Sequence, residues 1–395
     1  MKVILIALVV FCSLSIRAQT WQRVGPLTGD DLYGITSTPD STYYAASFNP
    51  ARIYRSTNGG TAWIPIFTLP GSLFRDIEFV TNQIGFVSGA DISSNPPKGV
   101  IYKTIDGGNT WLTSSIPNSG GVINGNITDI HFENINEGYA VGHLGVVLKT
   151  TNQGSNWAFI PFYSNGHLFS MERLGQDSIW ASGNNGLFSI YPNRAPQNLI
   201  SNHVSGISKG INDIFTIDNN NFIRYQNGTG LPIRLASNPL SNSVVKKVLA
   251  LSDSLIFIAG DDRNIYFSND GGQTFNLETT PVNNFHIFDL KLLNGYVWAA
   301  GVSGTILRRQ LTVGEKEHLQ KANELRLYPN PAKDFVWIKK QESIDEVRVL
   351  DIKGKEILRS IHPSNKFDIS QLIPGIYIMQ VISDGKVSTK KFIKH

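Results

Sequence analysis

The 395-residue sequence holds a single cysteine, Cys12, which excludes both a disulfide framework and a thiolate metal site. Its eight histidines show no metal spacing: His131, His143 and His167 fall in separate segments, and nothing like His-x-x-x-His occurs. Beyond residue 14 no apolar run is long enough for a transmembrane helix, and no long stretch carries helical periodicity. Only 17% of residues are charged, and the net charge of +4 is unevenly placed. From Arg326 to His395 there are 13 Lys/Arg against 8 Asp/Glu, or +5, whereas Met1 to Leu325 has 22 against 23, or −1. The large N-terminal part therefore offers no electrostatic case for nucleic acid.

What is abundant is glycine (36) and turn chemistry. The stretch Thr104-Ile-Asp106-Gly-Gly108-Asn-Thr110-Trp111 is written four times. It recurs as Ser268-Asn-Asp270-Gly-Gly272-Gln-Thr274-Phe275, as Thr150-Thr-Asn152-Gln-Gly154-Ser-Asn-Trp157, and in worn form as Ser56-Thr-Asn58-Gly-Gly60-Thr-Ala-Trp63. Each copy follows a short branched or aromatic strand. Asp or Asn folds back on the turn's own amides, Gly supplies φ > 0, and the closing aromatic lays a flat face beneath the turn. These residues resemble the Asp box, or bacterial neuraminidase repeat.

A second pattern carries the repeat further: an aromatic-rich strand, a Gly, another strand. It appears as Gly138–Gly142 to Val146–Thr150, Ile179–Gly183 to Leu187–Ser189, Phe222–Tyr225 to Leu231–Arg234, and Val297–Gly301 to Thr305–Arg308. Equivalent positions fall at 56, 104, 150, 191, 235, 268 and 309, a period of about 42 residues, that of a four-stranded propeller blade. The expected fold is all-β: a seven-bladed β-propeller over 19–312. The fourth and fifth units lack the box, which leaves six or eight blades open. Thr20-Trp21-Gln22-Arg23-Val24 has no box before it, and the last unit lacks its final strand, so the first is expected to complete the last sheet.

Residues 1–18 read as a secretory signal peptide, with Lys2, an apolar run from Val3 to about Leu14, and cleavage between Ala18 and Gln19. Phe11 is too large to precede a lipidated Cys12. Residues 313–324, rich in Glu, Lys and Gln, read as a solvated linker with room for one helical turn.

Residues 325–395 read as a separate small β-sandwich of alternating strands. Tyr328-Pro329-Asn330-Pro331, then Asp351-Ile-Lys-Gly354-Lys355, then Asp368-Ile-Ser-Gln-Leu372-Ile-Pro-Gly375-Ile-Tyr377, then Lys390-Lys391-Phe-Ile-Lys394 follow in order. Together they resemble the type A C-terminal sorting domain of the type IX (Por) secretion system. That resemblance implies an immunoglobulin-like sandwich recognised by an outer-membrane translocon and a sortase-like peptidase. The passenger would then be released or joined to surface lipopolysaccharide.

Asp recurs at the start of an expected inner strand at Asp76, Asp129, Asp213 and Asp289. Each is expected to fix where its strand begins by accepting loop amides; a ring of acids acting on a ligand is the functional alternative. Asp-box propellers include sialidases, but the Phe/Tyr-Arg-Ile-Pro signature is missing. Ala51-Arg52-Ile53-Tyr54 and Pro232-Ile233-Arg234-Leu235 only approximate it. Trp63, Trp111, Trp157, Phe275, Trp180 and Trp298 are expected to pack the core. Gly138 to Asn152 also resembles the repeats of photosystem II assembly factors, which implies a shared binding scaffold; the sorting signal for the cell surface argues against a photosynthetic role.

The sequence thus points to a secreted or outer-surface binding propeller, exported through the periplasm. Its ligand, an unnamed protein or glycan, would lie on the non-repeated loops Gly89–Gly99, Asn118–Asn126 and Tyr191–Gly210. A glycan hydrolase or lyase, or a subunit of an adhesion complex, stands as the alternative. The sequence assigns no catalytic residue, metal or cofactor, no nucleic-acid partner, and no transmembrane helix once the signal is removed.

Overall fold

The computed structural model describes residues 21–25, 29–116, 125–162, 166–174, 178–191, 194–218, 221–226, 232–237, 245–282, 286–322, 325–339, 344–361, 366–383 and 386–395. The expected signal segment, with Cys12, Ala18 and Gln19, lies outside the described residues, as does most of Asn118–Asn126.

Seven four-stranded antiparallel sheets precede a helix, and two smaller-domain sheets follow it. The first strands of blades 1 to 7 are Leu32–Ser37, Ser72–Phe79, Ile127–Phe132, Leu168–Leu174, Val204–Lys209, Val245–Ala250 and Ile287–Leu293. Each touches the first strand of the next blade, and blade 7 touches blade 1, so the ring closes. Gln22–Arg23 forms the outer strand of blade 7, pairing Gln22 with Arg308 and Arg23 with Leu307. Trp21 is buried there, edge-on to Phe257 at 6.2 Å, with its indole N–H on Glu278 Oε2 at 3.1 Å.

The core is a series of wedges between neighbouring blades rather than one centre. Trp298 and Ala300 of blade 7 pack with Leu32, Ile35 and Tyr43 of blade 1; Phe86 and Ile101 of blade 2 pack with Ile127, Ile130 and Phe132 of blade 3. Trp180 and Trp298 are both buried.

The four repeated turns share one bond set whether Asp or Asn occupies the key position. The Gly amide donates to the leading hydroxyl: Gly60 to Ser56 Oγ, Gly108 to Thr104 Oγ1, Gly154 to Thr150 Oγ1, Gly272 to Ser268 Oγ, at 2.8–3.0 Å. The amide four residues past the Asp or Asn donates to its side chain: Ala62 to Asn58, Thr110 to Asp106, Asn156 to Asn152, Thr274 to Asp270, at 2.9–3.0 Å. Trp63 and Trp111 close their turns by donating to the Gly60 and Gly108 carbonyls. Trp157 instead donates to Ser114 Oγ, and Phe275 packs edge-on to Phe222.

The Gly four residues past the leading hydroxyl of each turn also faces the preceding blade. A Cβ on Gly60 would lie 2.7 Å from Trp298, on Gly154 2.3 Å from Phe86, and on Gly272 2.2 Å from Phe222. With φ of +83°, +66° and +85°, these positions need glycine twice over.

Two expectations are corrected. In blade 5 the strands are Val204–Lys209, Ile214–Asp218, Asn221–Tyr225 and Pro232–Ser237. Phe222–Tyr225 is therefore the third strand and the position equivalent to Ser56 is Tyr225, ten residues before 235. Residues 313–324 are no simple linker either: Val313–Ala322 is a ten-residue helix. Thr312 and Glu315 cap it reciprocally, Glu315 N donating to Thr312 Oγ1 and Thr312 N to Glu315 Oε2. Glu315 also pairs with the buried Arg309, which holds Glu278 on its other side, so the helix is tied to blade 7 and to the partner of Trp21.

The C-terminal domain is a two-sheet sandwich. Arg326–Tyr328, Phe335–Lys339 and Lys366–Asp368 form one sheet; Glu346–Leu350, Glu356–Ile361, Gly375–Ser383 and Lys386–Lys394 form the other. Leu327, Val336, Ile338 and Leu372 meet Val347, Val349, Tyr377, Met379, Val381 and Phe392 between them. The motif residues are tied by hydrogen bonds, some within one motif and some between the first motif and the last. Asn330 donates to the Lys391 carbonyl and accepts from Ile393 N; Asp351 accepts from Lys353 N and Lys355 N around Gly354. Asp368 accepts from Ser370 N, the Tyr377 hydroxyl donates to Ile373 O, and Lys394 is buried against the Ala332 bridge.

Candidate functional site: the channel mouth

All seven first strands carry a bulge at the same place, where the register against the second strand slips between Leu32/Gly34, Phe74/Asp76, Ile127/Asp129, Leu168/Ser170, Val204/Gly206, Val245/Lys247 and Ile287/Asp289. The residue before each slip is buried in the wedges. The extra residue is left unpaired, and a bulge re-aims its side chain. These seven are Tyr33, Arg75, Thr128, Phe169, Ser205, Lys246 and Phe288. All seven line one cavity of about 260 Å³, with His143, His203 and, deeper, Asp76, Asp129, Ser170 and Lys247. The cavity is one mouth of the central channel.

Strand direction puts the repeated turns on the opposite face. In blade 1, Leu32 pairs with Ser47 and Ser47 with Arg52 at the mouth end, whereas Ser37 pairs with Tyr43 and Tyr43 with Ser56 at the far end, where the turn begins.

The residues after the bulge act as staples between blades. The innermost edge of each blade has strand amides with no ladder partner. Asp289 Oδ2 accepts Ile35 N at 3.0 Å, Asp76 Oδ2 accepts Ile130 N at 3.3 Å, and Asp129 Oδ2 accepts Met171 N at 2.8 Å. One step deeper, Glu78 accepts Phe132 N, Glu172 accepts Lys209 N and Ser208 Oγ accepts Ala250 N. Three of the four inner-strand acids thus converge, and they hold strand amides of the next blade rather than loop amides. Asp213 does not join them: it precedes the second strand of blade 5 and pairs with Arg224.

Two lysines balance the layer. Lys291 Nζ lies 3.1 Å from Asp76 and 3.9 Å from Asp289, and Lys247 Nζ lies 3.2 Å from Asp289. Burial opposes both charges, but Asp289 beside Lys247 and Asp76 beside Lys291 hold both ammonium groups above their ordinary range. The two neighbouring carboxyls part company. Burial pushes Asp129 up to about 7, with the Asp76 charge adding to it; Asp76, equally buried, is held below its usual range by Lys291. His131 opposes Glu78 at 3.5 Å and is raised to about 9 against its burial.

At the rim of the mouth Tyr33 is stacked between Phe288, at 4.1 Å, and Phe48, at 4.7 Å. The Arg75 guanidinium lies over Phe48 at 4.4 Å and Tyr33 at 4.9 Å. The His143 and His167 rings meet at 4.2 Å, tilted by 45°, a contact that no spacing in the sequence announces, and Phe169 faces His203 at 5.4 Å. Burial, with His167 and Arg75 nearby, lowers His143 to about 4, so it is neutral at pH 7. Among the described residues no group of three or more His, Cys, Asp or Glu is arranged to hold a metal ion.

Of the expected recognition loops, Gly89–Gly99 spans the hairpin at the mouth end of blade 2. Tyr191–Gly210 divides: His203 and Ser205 reach the mouth, while the paired Tyr191 and Arg194 stand at the far end of their strands. The ring of bulge residues was missed because its seven side chains share no chemistry. The available signal was position: Arg75, Thr128 and Phe288 immediately precede Asp76, Asp129 and Asp289.

Fold and tail together define a class: a BNR-type propeller joined to a secretion sorting domain. Residues 326–395 match the model of the Secretion system C-terminal sorting domain, and residues 61–165 that of the Photosynthesis system II assembly factor YCF48. The chain is 25% identical over 276 residues to the chloroplast photosystem II stability/assembly factor HCF136 of Arabidopsis thaliana, 60% of this chain and just under two thirds (66%) of that protein. Two solved structures share the fold. A YCF48 bound to D1 peptide superposes with a TM-score of 0.60 at 16% identity, covering 74% of this chain and 97% of its own. PorZ of Porphyromonas gingivalis, a surface component of the type IX secretion system, superposes with a TM-score of 0.55 at 14% identity, covering 93% of this chain and 59% of its own. The sorting domain marks the chain for type IX secretion, to the cell surface or the medium. Among the described residues no helix is long and apolar enough to cross a membrane.

Proposed function

We propose that the exported propeller is a binding protein that takes a ligand at the channel mouth, and that the repeated turns serve only the scaffold. One observation carries this reading: seven unpaired bulge residues of seven different blades face a single cavity. A repeat that kept this position for packing would keep one residue type there; aromatic, cationic and hydroxyl side chains instead alternate around the rim. The YCF48 found with a D1 peptide has the same fold and supports the reading by analogy alone.

The reading is tested by placing a photo-reactive benzoylphenylalanine at Phe169, at the mouth, and at Asn109, in a far-face turn, in cells exporting the full chain. We expect a discrete crosslinked adduct from position 169 and none from 109. Adducts from 109 alone would put the ligand on the wrong face.

A hydrolase or lyase is the second reading, favoured by the divergent Asp76 and Asp129 carboxyls, since an acid and a base need different environments. Both already accept strand amides, which suits a staple better than a proton shuttle. A polysaccharide panel, repeated on any hit with Asp76→Asn and Asp129→Asn, decides it; no turnover is expected. Membership in a surface adhesion complex would show instead as a stable co-purifying assembly.

A further inference from the structure

The charges around the mouth do not cancel, and the imbalance is one residue wide. Lys246 pairs with Asp261 at 3.2 Å, where His286 also lies 3.3 Å away; Lys247 and Lys291 pair with the staple acids. Arg75 has no carboxylate within ion-pair distance among the described residues, and its buried Nε has no hydrogen-bond acceptor. Its stacking on Phe48 and Tyr33 fixes the guanidinium plane but leaves the charge whole. Burial pulls Arg75 below its ordinary range, while the neutral His143 beside it adds no second charge. A half-desolvated, pre-oriented cation without a counter-ion is costly to hold unless an anion arrives.

Resting on the mouth reading, we propose that Arg75 receives the carboxylate of an organic monoanion whose planar or apolar body lies against Tyr33, Phe288 and Phe169. A planar fork matches a carboxylate by two parallel hydrogen bonds. The two lysines near it are already paired, so a phosphate dianion would lack a second free cation. The cavity of about 260 Å³ lies below the ~300–1,000 Å³ that encloses a drug-sized molecule, so it takes one ring or one side chain rather than a whole oligomer.

The test titrates the full secreted chain with benzoate, followed by saturation-transfer NMR and calorimetry, against benzamide as the neutral isostere and inorganic phosphate as the anion without a body. Benzoate is expected to saturate, with benzamide and phosphate each at least about tenfold weaker. Arg75→Met should lower benzoate affinity about tenfold or more and leave benzamide unchanged; Lys353→Met, which removes an exposed charge of the sorting domain outside the mouth, should change benzoate less than about threefold. If Arg75→Met fails to fold, raising salt on the wild-type protein must still weaken benzoate and not benzamide. Acetyl-phenylalanine against its amide then separates a free small acid from the end of a protein chain. Equal affinity for benzoate and benzamide, or no benzoate binding at all, overturns the proposal. The mouth reading would survive that result if the position-169 adduct still formed.

Discussion

The two faces of the disc are cut from the same strands, yet one repeats and the other does not. On the turn face four copies of one bond set fix the third strand to the fourth, and the Gly four residues past each copy's leading hydroxyl is pressed on an aromatic of the blade before it. On the mouth face the backbone repeats just as strictly, with one bulge per blade, but the side chain at the bulge varies among aromatic, cationic and hydroxyl types. Repetition of residue type marks where stability resides. Repetition of backbone with varied side chains marks where a surface is free to recognise something.

Substitutions can sharpen or break that contrast, beginning with the closure of the ring. Trp21→Ala removes a buried indole and its bond to Glu278, which Arg309 still holds; a loss of about 3–5 kcal/mol is expected by denaturant melts, and an unchanged midpoint would place this strand outside the ring. Gly272→Ala comes next. A left-handed backbone with a Cβ 2.2 Å from Phe222 should cost about 2–4 kcal/mol, from conformational strain and overpacking together.

Asp129→Asn tests the staples through pH. The folded pKa of about 7 lies above the roughly 3.9 of an unfolded Asp. The protonated carboxyl therefore favours folding fully below about pH 4, and that contribution is lost as pH rises through about 7. The Asn variant should flatten the fall in Tm between pH 4 and 8; an unaltered profile would mean Asp129 is ionised throughout.

Asp106→Ala should cost about 1 kcal/mol, at the low end because water reaches the Thr110 amide it leaves behind. Hydrogen bonds from Thr110 hold Asp106 down to about 2. Its contribution is thus present above about pH 4 and is lost as pH falls toward 2, which acid melts of mutant and wild type would resolve. Ser205→Ala, at the mouth, should move stability by less than about 0.5 kcal/mol; a drop matching that of Asp106→Ala would dissolve the distinction between the faces.

Much of this was legible in the sequence where local chemistry decides. Asp or Asn four residues before the amide it binds, and Gly where φ is positive, are fixed by the turn itself. The sorting-domain motifs are likewise short bonded units, as in Asp351 with Lys353 and Lys355. Long-range matters were not. Asn212-Asp213-Ile214 looks like Thr128-Asp129-Ile130, and only the ring reveals that Arg224 claims Asp213 while Met171 of the next blade claims Asp129. The helix Val313–Ala322 was missed because it has no apolar stripe. Its signal was the Thr312-x-x-Glu315 box, and its anchor, Arg309, lies in the preceding strand.

The pairing of Gln22 with Arg308 also sets a clock. The two partners are 286 positions apart, and joining ends so distant costs about 5 kcal/mol of chain entropy. The clasp therefore shuts only after the six preceding blades have gathered. A chain made or threaded from its first residue onward shows Trp21 and an open strand edge long before Arg308 arrives. A passenger broken anywhere within the ring keeps them showing, and an unpaired edge invites association with other chains. Concealment of Trp21 thus reports that synthesis has run through blade 7, just ahead of the sorting domain that addresses the chain for export.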